Sequence, residues 1–290
     1  MTHIKNGFSI SIRIDIMEFI YITNDPEIAA YAQDSGVDRI MIDLEYMGKR
    51  ERQGHLDTVI SNHSLQDIDK VKKNLHHSKL QVRVNPIHKN SEKEINEAID
   101  RGADIVMLPM FKSKREVEKF TSIINGRVKN SLLLETPQAL VRIDDILETN
   151  GIDEVYIGLN DIYLLMGLDF MFELLSGGIV EYTASKIKKK DIPFGFGGIS
   201  RLGMGILDAS LILSEHVRLG SQIVILSRAF HERAKSLNEL KGLFDLKNEI
   251  TKIRLHLSYL SKLPEEELFR NREKISRIVS EYVEKKAISF

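Results

Sequence analysis

The chain contains no cysteine. Disulfides, thiolate zinc sites and cysteine nucleophiles are therefore excluded. It also lacks a surplus of either charge: 41 Lys and Arg stand against 42 Asp and Glu in 290 residues, a formal charge of −1. Such a balance gives no global reason to expect nucleic-acid or membrane-surface binding. No apolar run approaches the roughly 20 residues that span a bilayer. The opening MTHIKNGFSISIRIDIMEF lacks the uninterrupted apolar core and small-residue cleavage site of a signal peptide. The expectation is a cytoplasmic protein with no nucleic-acid or membrane partner. Neither GxGxxG nor GxxxxGK[ST] occurs, and the glycine-rich GFGGISRLGMG fits neither spacing. The nine histidines form no HxH or HExxH pattern.

What is present is a repeated alternation. Short runs rich in Ile, Val and Leu predict strands at Glu18–Thr23, Arg39–Leu44, Leu80–Asn85, Ile105–Leu108, Leu132–Glu135, Glu154–Gly158, Pro193–Gly197 and Gln222–Leu226. Helix patterns with caps and stops lie between them. Asp25 and Pro26 open one that ends at Gly36, and Ser91 with Glu94 has capping-box spacing. Ser113 and Glu116 open another, and TPQALVRIDDILETNG reads as one helix from Thr136 to Gly151. Eight strands alternating with helices imply parallel pairing through right-handed crossovers, closed as a (β/α)8 TIM barrel. The barrel is assigned to residues 17–235. Residues 1–16 read as an edge strand or lid, and 236–290 as a helical extension of two amphipathic helices broken at Pro264. The apolar stripe of that extension must be buried against its own barrel or a neighbouring subunit, and the neighbouring subunit is preferred.

Polar residues stand directly behind the apolar runs, where a barrel keeps its active site. Asp43 and Glu45 follow the second strand, Arg83 and Asn85 end the third, Pro109 follows the fourth, Glu135 and Thr136 end the fifth, and Asn160 and Asp161 follow the sixth. Glu135 and Asp161 are candidate ligands for Mg²⁺ or Mn²⁺, since two carboxylates plus water and substrate suit such an ion. The alternative is that each caps the helix behind it. Arg83, inside an apolar strand, is a candidate anchor for an anionic substrate, or the partner of Asp43 or Glu45 in a salt bridge. Asp43 and Glu45 either accept hydrogen bonds from water on a bound ion or pair with Lys49, Arg50 or Arg52. Asn85, Thr136 and Pro109 are candidate substrate contacts. His55, His63 and His88 also follow strand ends, and Arg228 in ILSRAF is a further candidate anion binder. With no lysine in a predicted strand, Schiff-base chemistry is disfavoured.

The same residues carry a family resemblance. DRIMIDLE with Lys49 downstream, VRVN, GADIVMLPMFKSKREVEKF, LLETPQAL and GIDEVYIGLNDIYLLMG occur in this order between about Phe19 and Phe230. The chain resembles the superfamily of the citrate lyase β subunit and the metal-dependent hydroxy-oxo-diacid aldolases. The resemblance implies a (β/α)8 barrel that makes or breaks a carbon–carbon bond beside an oxo acid or acyl thioester. It implies that Glu135 and Asp161 bind Mg²⁺ or a similar ion, and that Arg83 holds the carboxylate of pyruvate, oxaloacetate or a related acid. It further implies a homo-oligomer, trimer or hexamer. A CoA ester as substrate would need a basic rim, for which Lys49–Arg52 and Lys186–Lys190 are available. One position departs: where the diacid aldolases carry a histidine base and the citrate lyase branch an acid, this chain has Tyr46.

Overall fold

The fold comes from a computed structural model that describes residues 17–48, 63–232 and 234–288. Eight strands close a parallel barrel in chain order: β1 (Glu18–Ile22), β2 (Arg39–Asp43), β3 (Lys79–Arg83), β4 (Ile105–Leu108), β5 (Lys129–Leu134), β6 (Glu154–Ile157), β7 (Phe194–Ile199) and β8 (Ile223–Leu226). Closure is made by β1 against β8, with Phe19 opposite Val224. The predicted strands are all present because strands covered by helices outside and side chains inside are apolar almost throughout.

The helices are α1 (Pro26–Asp34), α2 (Leu65–Lys72), α3 (Ser91–Asp100), α4 (Lys114–Ile124), α5 (Pro137–Val141), α6 (Ile143–Ile146), α7 (Leu159–Met166), α8 (Glu173–Ser176), α9 (Ile179–Lys188), α10 (Ala209–Leu219), α11 (Leu237–Leu243), α12 (Leu246–Leu260) and α13 (Glu265–Ile288). Asp25 caps α1 as expected, its Oδ1 accepting from Glu27 N at 2.8 Å and Ile28 N at 3.0 Å. The single helix expected from Thr136 is two, α5 and α6, broken at Arg142. The capping box at Ser91 does not form. Asn90 is the cap, and Glu94 turns instead to Asn85.

Three layers fill the barrel. In the middle lie Ile20, Met41, Met107, Leu133, Tyr156 and Ile223, all buried. At the amino-terminal end, Arg39 donates to both oxygens of Glu154, at 2.6 and 3.0 Å, and to Gln81 Oε1 at 3.2 Å, and it also pairs with Glu18. Lys129 reaches Glu154 at 2.6 Å, and Lys79 reaches Glu18 at 3.5 Å. Strands β3 and β5 thus open one or more residues earlier than expected and do contain lysines. Both sit in this lower network, at the end away from the strand carboxyl ends, so they give a Schiff-base reading no support. The third layer, at the carboxyl ends, is again charged and forms the candidate site.

The carboxy-terminal extension is three helices rather than two, with Asp245 starting α12 after the extended Phe244, and the break at Pro264 falls between α12 and α13. Its apolar stripe is buried within the chain: Leu246, Ile250, Ile253, Leu257 and Leu260 from α12, and Leu268, Ile275 and Val279 from α13. Both helices pack on α10, and Asn271 Nδ2 donates to Ser214 Oγ at 3.0 Å. The stripe expected to seek a neighbouring subunit is satisfied by the barrel itself, because the two turns that interrupt the extension fold it back across α10.

Candidate active site

A cavity of about 430 Å³ opens at the carboxyl ends of the strands, and Asp43, Arg83, Glu135 and Asp161 all line it. Side chains alternate along a strand, so Arg39, Met41 and Asp43 point to one side of β2, as do Gln81 and Arg83 on β3. The residue two past each apolar interior position therefore reaches the mouth. Leu133 leads to Glu135 and Tyr156 to Gly158 in the same way.

Arg83 is held by acids. Its Nε and Nη2 donate to the two oxygens of Asp43, each at 2.8 Å, and Nη1 lies 3.5 Å from Glu45 Oε2. The salt bridge given above as the alternative for Arg83 is thus present. Burial alone would lower the guanidinium pKa, but the charges of Asp43 and Glu45 hold it well above its usual value. A guanidinium has five N–H donors in a rigid plane, so the bidentate bond to Asp43 fixes that plane and turns Nη1 toward Glu45.

Glu135 is 3% exposed, and its Oε1 accepts from the backbone N–H of Met110 at 3.1 Å. Room for it comes from Gly158: a methyl there would lie 2.8 Å from Glu135 Cβ and 3.0 Å from its Oε2. Asp161 is 6% exposed and lies in the first turn of α7. Neither is an N-cap. Thr136 caps α5, its Oγ1 accepting from Ala139 N at 3.1 Å, and Gly158 precedes α7. Among the described residues no group of three His, Cys, Asp or Glu is arranged to hold a metal ion. Two buried carboxylates on one cavity nevertheless fit a hard divalent ion, which takes one or two protein carboxylates and completes its shell from water and substrate.

Other candidates fall elsewhere. Thr136 also donates to Phe111 O at 2.8 Å, and Pro109 is buried behind β4; neither lines the cavity. Asn85 is a brace: its Oδ1 accepts from Tyr46 N and Met47 N, both at 3.1 Å, and its Nδ2 donates to Glu94 at 2.7 Å and Leu44 O at 3.2 Å. Glu45 is buried against Arg83 without lining the cavity. His63 Nδ1 accepts from Asp43 N at 2.9 Å, and His88 lies 3.2 Å from Glu94. Both histidines, with Tyr46 and Asn85, line a separate cavity of about 380 Å³. Tyr46 is 69% exposed and contributes nothing to the main one. Lys49–Arg52, His55 and residues 1–16 lie outside the described residues. The tract Lys186–Lys190 ends α9 ahead of β7, at the amino-terminal end, where Lys186 binds Asp144 at 2.8 Å and Lys190 binds Glu148 at 2.6 Å. It offers no rim to this cavity. A wider groove of about 620 Å³ on that same end carries none of the candidate residues.

Three lining residues follow less directly from the sequence. Gly158 is needed only because Glu135 approaches it. Arg228 lies at the mouth as anticipated, and His231 stands beside it, its ring edge-on to Tyr21 with centroids 5.9 Å apart. Its place after an apolar strand was the same signal that drew notice to His63 and His88.

Barrel, cavity and acid cluster place a polar site where (β/α)8 enzymes keep theirs, and the comparisons give the family. The sequence profile of the HpcH/HpaI aldolase/citrate lyase family matches residues 16–173, so the chain belongs to that family and is a lyase of that superfamily. No protein of curated function matches the sequence. Among solved structures it is similar to an HpcH/HpaI aldolase from Desulfitobacterium hafniense DCB-2, with a TM-score of 0.58 and 15% identity over 86% of this chain and 94% of that one. An HpcH/HpaI aldolase/citrate lyase family protein from Burkholderia cenocepacia J2315 gives 0.59 and 12% over 82% and 95%. The citrate synthase SbnG gives 0.59 and 16% over 79% and 94%. At these identities the likeness establishes the barrel alone.

Proposed function

We propose that the protein is a metal-dependent carbon–carbon lyase or aldolase acting on a pyruvate- or oxaloacetate-like oxo acid through an enolate. The observation that carries this reading is the meeting of Arg83 with Glu135 and Asp161 on one cavity. Glu135 and Asp161 would hold Mg²⁺ or Mn²⁺. When bound, such an ion supplies Lewis acidity toward the charge that develops on the oxo oxygen as the carbon–carbon bond breaks. Asp43 orients Arg83, and Arg83, which lines the cavity, binds the carboxylate of the oxo acid, fixing which carbon faces the second reactant. Buried positions for these groups strengthen each charge interaction relative to water.

Titration calorimetry of chelator-treated protein with pyruvate and oxaloacetate, with and without Mg²⁺ or Mn²⁺, tests the reading. Binding that requires the ion and is lost in Arg83→Ala supports it. Glu135→Gln is expected to abolish ion-dependent binding and turnover together, and full activity in that variant would sink the assignment. Assembly into a homo-oligomer belongs to the same proposal. Leu255 and Tyr259 are exposed one turn apart on α12, and sedimentation of the full chain reads the outcome.

A further inference from the structure

The oxo-acid end accounts for only part of the cavity. Its volume of about 430 Å³ equals about 14 water molecules at roughly 30 Å³ each, and a three-carbon oxo acid fills a minority of that. The rest is not uniform. The floor is apolar, with Ile22, Leu133 and Ile225, and beyond it stand the glycines of β7 and the polar residues that follow β8.

The two strand ends contribute differently. Strand β7 carries a register irregularity against β8 between Gly195 and Gly198, and bulges of this kind at barrel rims re-aim the chain. Gly197 and Gly198 both line the cavity there, so backbone rather than side chain faces the space. Across from them Ser227 Oγ accepts from Ala229 N at 3.4 Å, which leaves its own proton to donate. Arg228 follows on the rim, with His231 close enough that the charge of Arg228, added to burial, lowers the imidazole pKa. A hydroxyl, a guanidinium and an imidazole, on a rim that Gly197 and Gly198 keep clear of side chains, make a set of hydrogen-bond donors for an anion with several oxygens. The loops after strands 7 and 8 are also a frequent place for phosphate in barrels of this kind.

We infer that the β7–β8 end of the cavity is a subsite for a phosphate monoester, built from Gly197, Gly198, Ser227, Arg228 and His231, and that the second reactant is a phosphorylated aldehyde. The inference rests on the lyase reading for the reaction but not for the subsite. A substrate spanning the cavity places its carboxylate on Arg83 and its phosphate on Arg228, with the apolar floor beneath the carbons between them.

Two measurements on the full chain test this separately. Inorganic phosphate is titrated calorimetrically into wild type and Arg228→Gln without metal or oxo acid; saturable binding weakened at least tenfold in the variant is expected. Arg228 is exposed, so the variant keeps its fold, and the thermal transition verifies that. In the second, pyruvate and Mg²⁺ are supplied with glyceraldehyde 3-phosphate, with glyceraldehyde and with a carboxylate-ended aldehyde. The expected kcat/KM ratio of phosphorylated to plain aldehyde is tenfold or more, falling toward one in Arg228→Gln. No phosphate binding in wild type, a ratio near one, a ratio that survives the substitution, or a stronger preference for the carboxylate-ended aldehyde overturns the subsite. Phosphate binding without any turnover or pyruvate proton exchange sinks the lyase reading and leaves the subsite standing.

Discussion

Replacing Gly158 by alanine isolates the fit of Glu135. The backbone there, φ −84° and ψ 95°, is open to any residue, so the substitution adds no backbone strain. The added methyl lies 2.8 Å from Glu135 Cβ, 3.0 Å from its Oε2 and 3.1 Å from Leu133 Cδ1. Both neighbours are buried and cannot swing into solvent, so the carboxylate must move. Overpacking of this size costs about 1–3 kcal/mol, and the stiffer unfolded chain returns about 0.4–1 kcal/mol. A net loss of about 1–2 kcal/mol lowers Tm by roughly 2–8 °C. Displacement of the carboxylate proposed to hold the ion should weaken Mn²⁺ or Mg²⁺ binding by about 10–100-fold, or about 1.4–2.8 kcal/mol. Thermal unfolding of the metal-free protein reads the first quantity and calorimetric titration with Mn²⁺ the second. Gly242→Ala, in α11 with nothing within 4 Å of the added carbon, is the control and should be neutral or slightly stabilising. Ion affinity in Gly158→Ala within twofold of wild type, alongside a normal Tm, would refute the claim that this glycine makes room for Glu135.

Three further outcomes are expected. Glu154→Gln leaves Arg39 buried with Glu18 as its remaining acid and should cost about 3 kcal/mol or more in urea unfolding. Burial alone would raise the Glu154 carboxyl, but Arg39 and then Lys129 hold it low, so its contribution is full above the unfolded carboxyl pKa of about 4.3 and lost as pH falls through the lower folded value; an unfolding profile that declines in acid as much in the variant as in wild type would contradict this. Burial lowers the His216 pKa to about 3, so its stabilising contribution is complete above the unfolded value of about 6.5 and declines toward pH 3 by up to about 1.4 kcal/mol per unit; His216→Gln, which retains a partner for Ser221 Oγ, should lack that slope between pH 6.5 and 4.5. Ending the chain before Pro264 uncovers α10 where Leu268, Ile275 and Val279 are buried, and at about 1.5–3 kcal/mol for each apolar side chain this is comparable to a whole domain's stability; soluble, cooperatively unfolding truncated protein would show that α13 is dispensable.

The barrel was legible because its strands are buried on both faces: IMID, QVRV, IVML and EVYI read as strands with no help from context. The upper acids were legible for a related reason, since a charge behind an apolar run on a parallel strand has few places to go except the carboxyl end. The same rule failed at the other end. Arg39, Gln81 and Glu154 sit at strand beginnings, where the sequence resembles an ordinary polar boundary, and only closure of the barrel makes them neighbours. Spacing likewise could not separate Glu135 from Thr136 as the helix cap, because the choice depends on Gly158, which admits the glutamate to the cavity. Asn85 is tied to a partner in the next helix, Glu94, that no local pattern reveals. The fate of the apolar stripe at the carboxy terminus turned on Phe244 and Asp245, a short break within what reads as one continuous helix.

The pairing of β1 with β8 has a consequence for how the protein is made. Phe19 emerges from the ribosome early, but its partner Val224 comes after six further strands, and the cover over α10 later still. Contacts this distant in sequence close slowly, and until they do the first strands present unpaired edges and apolar faces. A stalled or slowly translated chain is therefore most exposed to aggregation through its amino-terminal half. Synthesis with a chaperone to hand, or slowed only after residue 226, should raise the yield of closed barrel.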